Sequence, residues 1–166
     1  MASVFLFAAY EQINKVGQDR GKLEKENKWM LQVQGETSRN EILKKHKFYC
    51  SKKKTSILFG TGSFSEGLDL PGELLENLII TKIPFAVPTS PVEEAHAEYI
   101  ERKGGNPFLQ ISVPEASKKL IQSVGRLLRK ERDPGRVVIL DRRLVTKRYG
   151  KSLIDSLPPF KRRIDY

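Results

Sequence analysis

Residues 114–141 read PEASKKLIQSVGRLLRKERDPGRVVILD. Pro114 suits the first turn of a helix, where its missing N–H has no partner to lose, and Asp133-Pro134-Gly135 supplies a stop and a turn. Between them Leu120, Ile121, Val124, Leu127 and Leu128 recur at helical spacing, so at about 100° per residue they share one arc of the wheel. Gln122, Gly125, Arg126 and Arg129, spaced i, i+3, i+4, i+7, share the opposite arc. Gly125 costs the helix roughly 1 kcal/mol relative to Ala, and a glycine there lets another group approach the backbone. Arg136-Val-Val-Ile-Leu140 is a short apolar run that predicts a buried strand, ending in Asp141-Arg142-Arg143. A helix feeding a strand is the repeating unit of an α/β sheet. The paired guanidiniums suit phosphate oxygens, which they bind as a fork; the same residues also fit a solvated basic face.

At 166 residues the chain has room for one domain with a core of its own. Its apolar runs are too short to span a bilayer. The opening Met1-Ala-Ser-Val-Phe-Leu-Phe has no basic residues before it and reads as a buried strand rather than a signal peptide. The single cysteine, Cys50, allows no internal disulfide and cannot hold a metal or cluster alone, so a reducing cytoplasm is the expected setting. Through Ser117, 15 Lys and Arg balance 15 Asp and Glu; from Lys118 onward the count is 15 against 5, so the net charge of +10 sits in the last third. A cationic field of that kind draws in polyanions, nucleic acid or nucleotide phosphates; a generic basic surface is the plainer reading.

Upstream, strands are expected over Ser3–Ala9, Trp29–Gln34, Thr55–Phe59 and Leu78–Phe85. Helices are expected from Tyr10 to about Asp19, from Thr37 or Ser38 through His46 with Glu41 in the first turn, and from Pro91 to about Lys103 behind a Ser90 cap. Asn106-Pro107-Phe108 begins a loop toward Pro114, and a last helix covers Thr146–Leu157. Gly17-Gln-Asp-Arg-Gly21-Lys22-Leu23 is not a phosphate-binding loop, because the spacing is short and Leu23 stands where a magnesium-binding hydroxyl is required. Lys52-Lys53-Lys54 is a basic knot that fits a solvated loop or a nucleic-acid backbone. His46 and His96 have no partners at metal-ligand spacing and are expected at the surface. Gly60-Thr-Gly-Ser-Phe-Ser-Glu-Gly-Leu-Asp-Leu-Pro-Gly72 follows a strand and interleaves the Thr61, Ser63 and Ser65 hydroxyls with Glu66 and Asp69. Open α/β sheets place ligands in loops at that end of a strand.

Gln122-Ser-Val-Gly125-Arg126-Leu-Leu-Arg129 resembles motif VI of superfamily 2 helicases, QxxGRxxR. Ser63-Phe-Ser-Glu-Gly-Leu-Asp69 resembles motif V in the form S/T-F-x-E-G-x-D. With Phe7-Ala-Ala-Tyr10, Gln34-Gly35, Lys82-Ile-Pro-Phe85 and Thr146-Lys-Arg-Tyr-Gly-Lys151, the order resembles the DinG branch of the XPD-like helicases over nearly the whole chain.

That resemblance implies an α/β, RecA-like second motor domain of the P-loop NTPase type over residues 1–160, a mostly parallel sheet with helices on both faces; beyond Pro158-Pro159, Lys161-Arg162-Arg163 by itself reads as a frayed, disordered basic tail at 161–166. The resemblance implies an ATP-driven enzyme that unwinds DNA while moving 5′ to 3′ on a single strand. By position, Arg126 and Arg129 are the arginine fingers and Gln122 their partner at the nucleotide, with Gly125 in the same motif. Glu66, Gly67 and Asp69 belong to the loop that couples the ATP cleft to the DNA track. Tyr10, Ser63, Phe64 and Lys82 lie near the single-stranded DNA. ATP and Mg2+ are held mainly by the N-terminal RecA-like domain, since nothing here matches a Walker A loop or a DEAH-type box. No metal site and no membrane are expected, and the segment alone is expected to be inactive. The alternative is a stand-alone basic nucleic-acid-binding module without catalysis.

Overall fold

Alternate residues of three short strands decide the core. A computed structural model describes residues 1–86, 89–127 and 135–164. The strands are β1 (Ala2–Phe7), β2 (Met30–Val33), β3 (Ser56–Thr61), β4 (Asn77–Ile80) and β5 (Arg136–Ile139), in the order β2-β3-β1-β4-β5, and every pairing is parallel. Phe7, Leu31, Val33, Ile57 and Phe59 meet on one face with Ile13 of helix α1 (Tyr10–Gln18). Phe59 meets Phe5 and Phe7 edge-on, ring centroids 5.2 Å apart in each case. The register puts Val4, Gln32, Ser56 and Leu58 on the other face. Helix α3 (Arg39–Ser51) covers that face through His46, so helices lie on both sides of the sheet.

His46 overturns the expectation of a surface histidine, for it is fully buried. It lies one turn beyond the buried Ile42, and both ring nitrogens have partners. Nδ1 lies 2.8 Å from Ser56 Oγ, which also meets the Gln32 amide, and Nε2 lies 2.9 Å from the Leu74 carbonyl. These partners are distant in sequence, so spacing along α3 alone does not expose them. Burial pushes the His46 pKa below 6.5.

Helix α1 is followed directly by a second helix, α2 (Arg20–Asn27), where the sequence reading places only the end of the first. Arg20 anchors it to the sheet edge, donating to Glu24, Glu36 and the Leu31 carbonyl. Helix α3 has its Ser38 cap, the hydroxyl accepting from Glu41 N, but runs past His46 to Ser51. Strand β5 corrects the expectation of a buried strand: it is the outer edge of the sheet, half-buried, with Leu140 beyond it 61% exposed.

The chain divides into two compact units. One is Met1–Lys82 with Ser123–Leu140 and contains the sheet; the other is Ile83–Gln122 with Asp141–Tyr166. In the second unit, α5 (Pro91–Arg102) begins with a capping box between Ser90 and Glu93. The short α4 (Gly62–Ser65) belongs to the first unit, directly after β3. The expected loop from Asn106 is instead a π-helical segment, Phe108–Ser112, that runs into α6 (Val113–Gly125). Asn106 caps it through Leu109 N, and Pro107 already has helical torsions, so Asn-Pro is here a helix start. The expected last helix is two short ones, α7 (Arg143–Thr146) and α8 (Arg148–Asp155), separated by the extended Lys147. Phe85, Phe108 and Tyr149 form a three-ring cluster, with the Arg143 guanidinium over Phe85. Burial alone would push the Asp141 carboxyl up, but Arg143 and the N–H groups of Ile83 and Arg143 outweigh it and hold the pKa at about 2. Arg162 donates to Asp155 and to the Ile154 carbonyl.

A histidine kept neutral by the fold makes stability fall with acid. The unfolded chain takes up its proton as pH drops through about 6.5, before the folded chain does. The melting temperature should therefore fall between about pH 8 and pH 5. His46→Gln, although less stable at neutral pH, should flatten that dependence. A wild-type midpoint that does not move over this range would contradict the burial of a neutral His46.

Candidate nucleotide and nucleic-acid site

Parallel strands put all their carboxyl ends, and the loops that leave them, on one edge of the sheet. Tyr10 follows β1, Gln34-Gly35 follow β2, Gly62-Ser63 follow β3 and Lys82 follows β4. Three of these loops are tied by one residue. Tyr10 Oη donates to the Gln34 carbonyl at 2.6 Å. Gln34 Oε1 accepts from Thr61 N at 2.7 Å and from Thr61 Oγ1 at 3.1 Å, and Thr61 Oγ1 lies 2.9 Å from Ser63 Oγ. Gly35 has φ +95°, and a Cβ there would sit 1.4 Å from Tyr10 Oη, so the Tyr10 contact requires glycine.

Ser63 and Lys82 are exposed, and Tyr10 is 42% exposed, so the edge presents a hydroxyl, an ammonium and part of an aromatic ring. Phe64 departs from the expectation of a nucleic-acid-facing ring. It is 5% exposed, its ring covers Gly60, and the Arg39 guanidinium lies over it at 5.5 Å. An apolar ring one short turn after a central strand is drawn into the core. Arg39, the first residue of α3, also donates to the Glu66 carbonyl and so fastens the start of the Glu66–Asp69 segment. Gly67, with φ +73°, sits beside that guanidinium, and Glu66 and Asp69 flank it. Gln34, Thr37, Arg39, Ser63 and Phe64 line a shallow groove of about 250 Å³. Sequence reasoning assigns no site role to Gln34 or Arg39. The signal available for Arg39 is its place just after the Ser38 cap, at the carboxyl end of β2.

In α6 the apolar arc is inward: Leu120 and Val124 are buried, as is Leu127 just beyond the helix, while Ile121 is 38% exposed. Gln122 and Gly125 are exposed and Arg126 is half-buried in the turn that follows the helix. Among the described residues Arg126 has no hydrogen-bond or ion-pair partner for its guanidinium, and nothing lies within 4 Å of where a Gly125 Cβ would be. Gln122 belongs to the second unit and Arg126 to the first, the division falling inside α6. Leu128, Arg129 and the Asp133-Pro134 stop lie outside the described residues, as does the Ser65 side chain. Among the described residues no three His, Cys, Asp or Glu side chains are grouped to hold a metal, and no helix is long and apolar enough to cross a membrane.

A five-stranded parallel sheet with helices on both faces and its polar loops gathered on the carboxyl edge defines an α/β domain of the RecA-like class. The helicase C-terminal domain family matches residues 2–160, and the chain belongs to it. It is 73% identical over 165 residues to the ATP-dependent DNA helicase DinG of Photobacterium profundum, covering 99% of this chain and 24% of that protein. The ATP-dependent DNA helicase DinG of Escherichia coli (strain K12) is 45% identical over 131 residues, 79% of this chain and 18% of that protein. The 3'-5' exonuclease DinG of Bacillus subtilis (strain 168) is 37% identical over 155 residues, 92% of this chain and 16% of that protein. The chain thus spans about a quarter or less of the length of these relatives. An apo XPD structure shares the fold, with a TM-score of 0.68 and 22% identity over 93% of this chain and 30% of that one.

The Gln34 ties make a local expectation. Gln34→Ala strands the Thr61 N–H and should cost about 1–3 kcal/mol in a urea titration. Hydrogen exchange of the Gly62 and Ser63 amides should accelerate with it. Unchanged exchange at these two amides would show that the Gln34 amide does not hold the loop.

Proposed function

We propose that this chain is the second motor domain of an ATP-dependent DNA helicase of the DinG type. It acts on a nucleotide held by an N-terminal RecA-like domain and carries part of the single-stranded DNA track. The observation that carries this reading is the Arg126 guanidinium, which stands beyond a helix whose apolar arc is buried, with no described anionic partner. A half-buried guanidinium with no anionic partner among the described residues is suited to a ligand that brings phosphate oxygens.

In this reading Arg126 and Arg129 meet the developing charge on the transferring phosphoryl group, and Gln122 orients the nucleotide beside them. Gly125 leaves its flank open for that approach. ATP with Mg2+ supplies the hydrolysable anhydride; the described residues fit its phosphate side, and no three of their His, Cys, Asp or Glu side chains are grouped to hold the metal. Tyr10, Ser63 and Lys82 hold the strand, by partial stacking and by hydrogen-bonding phosphates. Glu66, Gly67 and Asp69 couple these two tasks, and the Arg39 tie to the Glu66 carbonyl keeps them in register with the track.

In the full-length protein, Arg126→Ala should lower kcat for ATP hydrolysis by about 10³ or more, with single-stranded DNA affinity nearly unchanged. Loss of DNA binding with ATPase intact would instead favour a basic module without catalysis. Gly125→Ala should raise the stability of the chain by up to about 1 kcal/mol, as helix propensity demands, while lowering ATPase in the full-length protein. The chain by itself, assayed for phosphate release with single-stranded DNA, should not turn over ATP; robust turnover would mean that a complete site lies within it.

A further inference from the structure

Lys52-Lys53-Lys54 lies at the amino edge of the sheet, in the turn that feeds β3. The six residues of β3 separate it from the Tyr10–Ser63 network by roughly 17 Å. The turn is fixed rather than loose. Lys53 N donates to the Cys50 carbonyl at 2.9 Å and Lys54 N to the Tyr49 carbonyl at 3.0 Å, the paired bonds of a Schellman motif at the end of α3. Lys53 has φ +55°, in the left-handed position that such a motif normally gives to glycine.

On α3 itself, Lys44, Lys47, Phe48 and Ser51 share the face opposite the buried Ile42 and His46, at i, i+3, i+4, i+7 spacing. Phe48 is 57% exposed, with Lys52 Nζ 5.9 Å from its ring centroid. Lys45 is paired with Glu41, but Lys44, Lys47, Lys52, Lys53 and Lys54 have no ion pair among the described residues. The macrodipole favours cations at a helix C-terminus. It accounts for neither the large exposed ring nor a lysine held where glycine is favoured.

We propose that this face is a second contact for single-stranded nucleic acid, its lysines meeting backbone phosphates and Phe48 stacking on one base. Only the identity of the polyanion rests on the helicase reading; the surface owes nothing to Arg126. It would hold a stretch of strand away from the carboxyl-edge track.

The test is the anisotropy of a fluorescein-labelled oligothymidylate titrated with this chain at several salt concentrations. Replacing Lys52, Lys53 and Lys54 together by Gln should weaken binding at least tenfold at low salt. It should also flatten the slope of log K against log salt by about 2, at about 0.7 per phosphate released. Phe48→Ala should weaken binding about tenfold with the slope unchanged, as loss of one stacked base predicts. Lys53→Gly is the diagnostic variant: it should raise the melting temperature while weakening binding, which a lysine with a merely structural role would not do. Unaltered affinity and slope in the triple variant, with Lys82→Gln lowering both, would overturn this second contact and leave the carboxyl-edge track standing. Tighter binding of polyglutamate-type competitors to the face, or equal binding of a duplex with Phe48→Ala silent, would likewise overturn it.

Discussion

Gln34 is the residue on which the arrangement of the carboxyl edge depends. Its backbone carbonyl takes the Tyr10 hydroxyl and its side chain takes the Thr61 amide and hydroxyl, so the ends of β1, β2 and β3 are held by one amino acid. A parallel sheet brings these loops to one edge but does not by itself fix their spacing. Without a side-chain acceptor at this point, the Thr61 N–H would be left facing the loop with nothing to accept it. Arg39 continues the lashing one step further, over Phe64 to the Glu66 carbonyl. The polar groups of this edge are consequently set by hydrogen bonds that cross between loops, and the apolar core beneath them, from Phe7 to Phe59, supplies the rigid base.

The chemistry splits along the same lines. Hydroxyls, a partly exposed ring and an ammonium stand on the sheet edge, suited to a sugar–phosphate backbone. Arg126, at the end of α6, has no carboxylate partner among the described residues, which suits a phosphate chain brought by another domain. Among the described residues neither set groups three His, Cys, Asp or Glu side chains to hold a metal. On the proposed function, the nucleotide would bridge two lobes, and each change in its charge would alter the attraction between them. Glu66, Gly67 and Asp69 lie on the segment that Arg39 fastens, its guanidinium over the Phe64 ring and donating to the Glu66 carbonyl.

Most of the fold was legible in the sequence because it rests on local rules. Short apolar runs marked the first four strands, and the Ser38 and Ser90 caps marked two helices in place. The apolar arc of α6 pointed inward as its spacing required, Ile121 excepted. The clearest failure depends on partners far along the chain. His46 reads as a polar helix residue until Ser56 and Leu74 fold around it. Phe64, which the resemblance puts near the DNA strand, is 5% exposed because an apolar ring there is drawn into the core. Strand β5 has the composition of a buried strand but is the last in the sheet, a matter of order rather than composition. Asn106-Pro107 reads as a loop signal, although the same pair serves equally as a cap and first turn. At the site, the motif-bearing residues and the Thr61 hydroxyl were visible, and the ties that Gln34 and Arg39 make between loops were not.

The most direct measurement of a role in trans is the chemical reactivity of Arg126 in the full-length protein. Arginine modification with phenylglyoxal, mapped by peptide mass spectrometry, can be compared without nucleotide and with an ADP–fluoroaluminate complex bound. Protection of Arg126 when the complex is bound, with Arg102 on α5 labelled equally in both states, is the expected result. Equal labelling of Arg126 with and without the complex would contradict the placing of its guanidinium against the nucleotide.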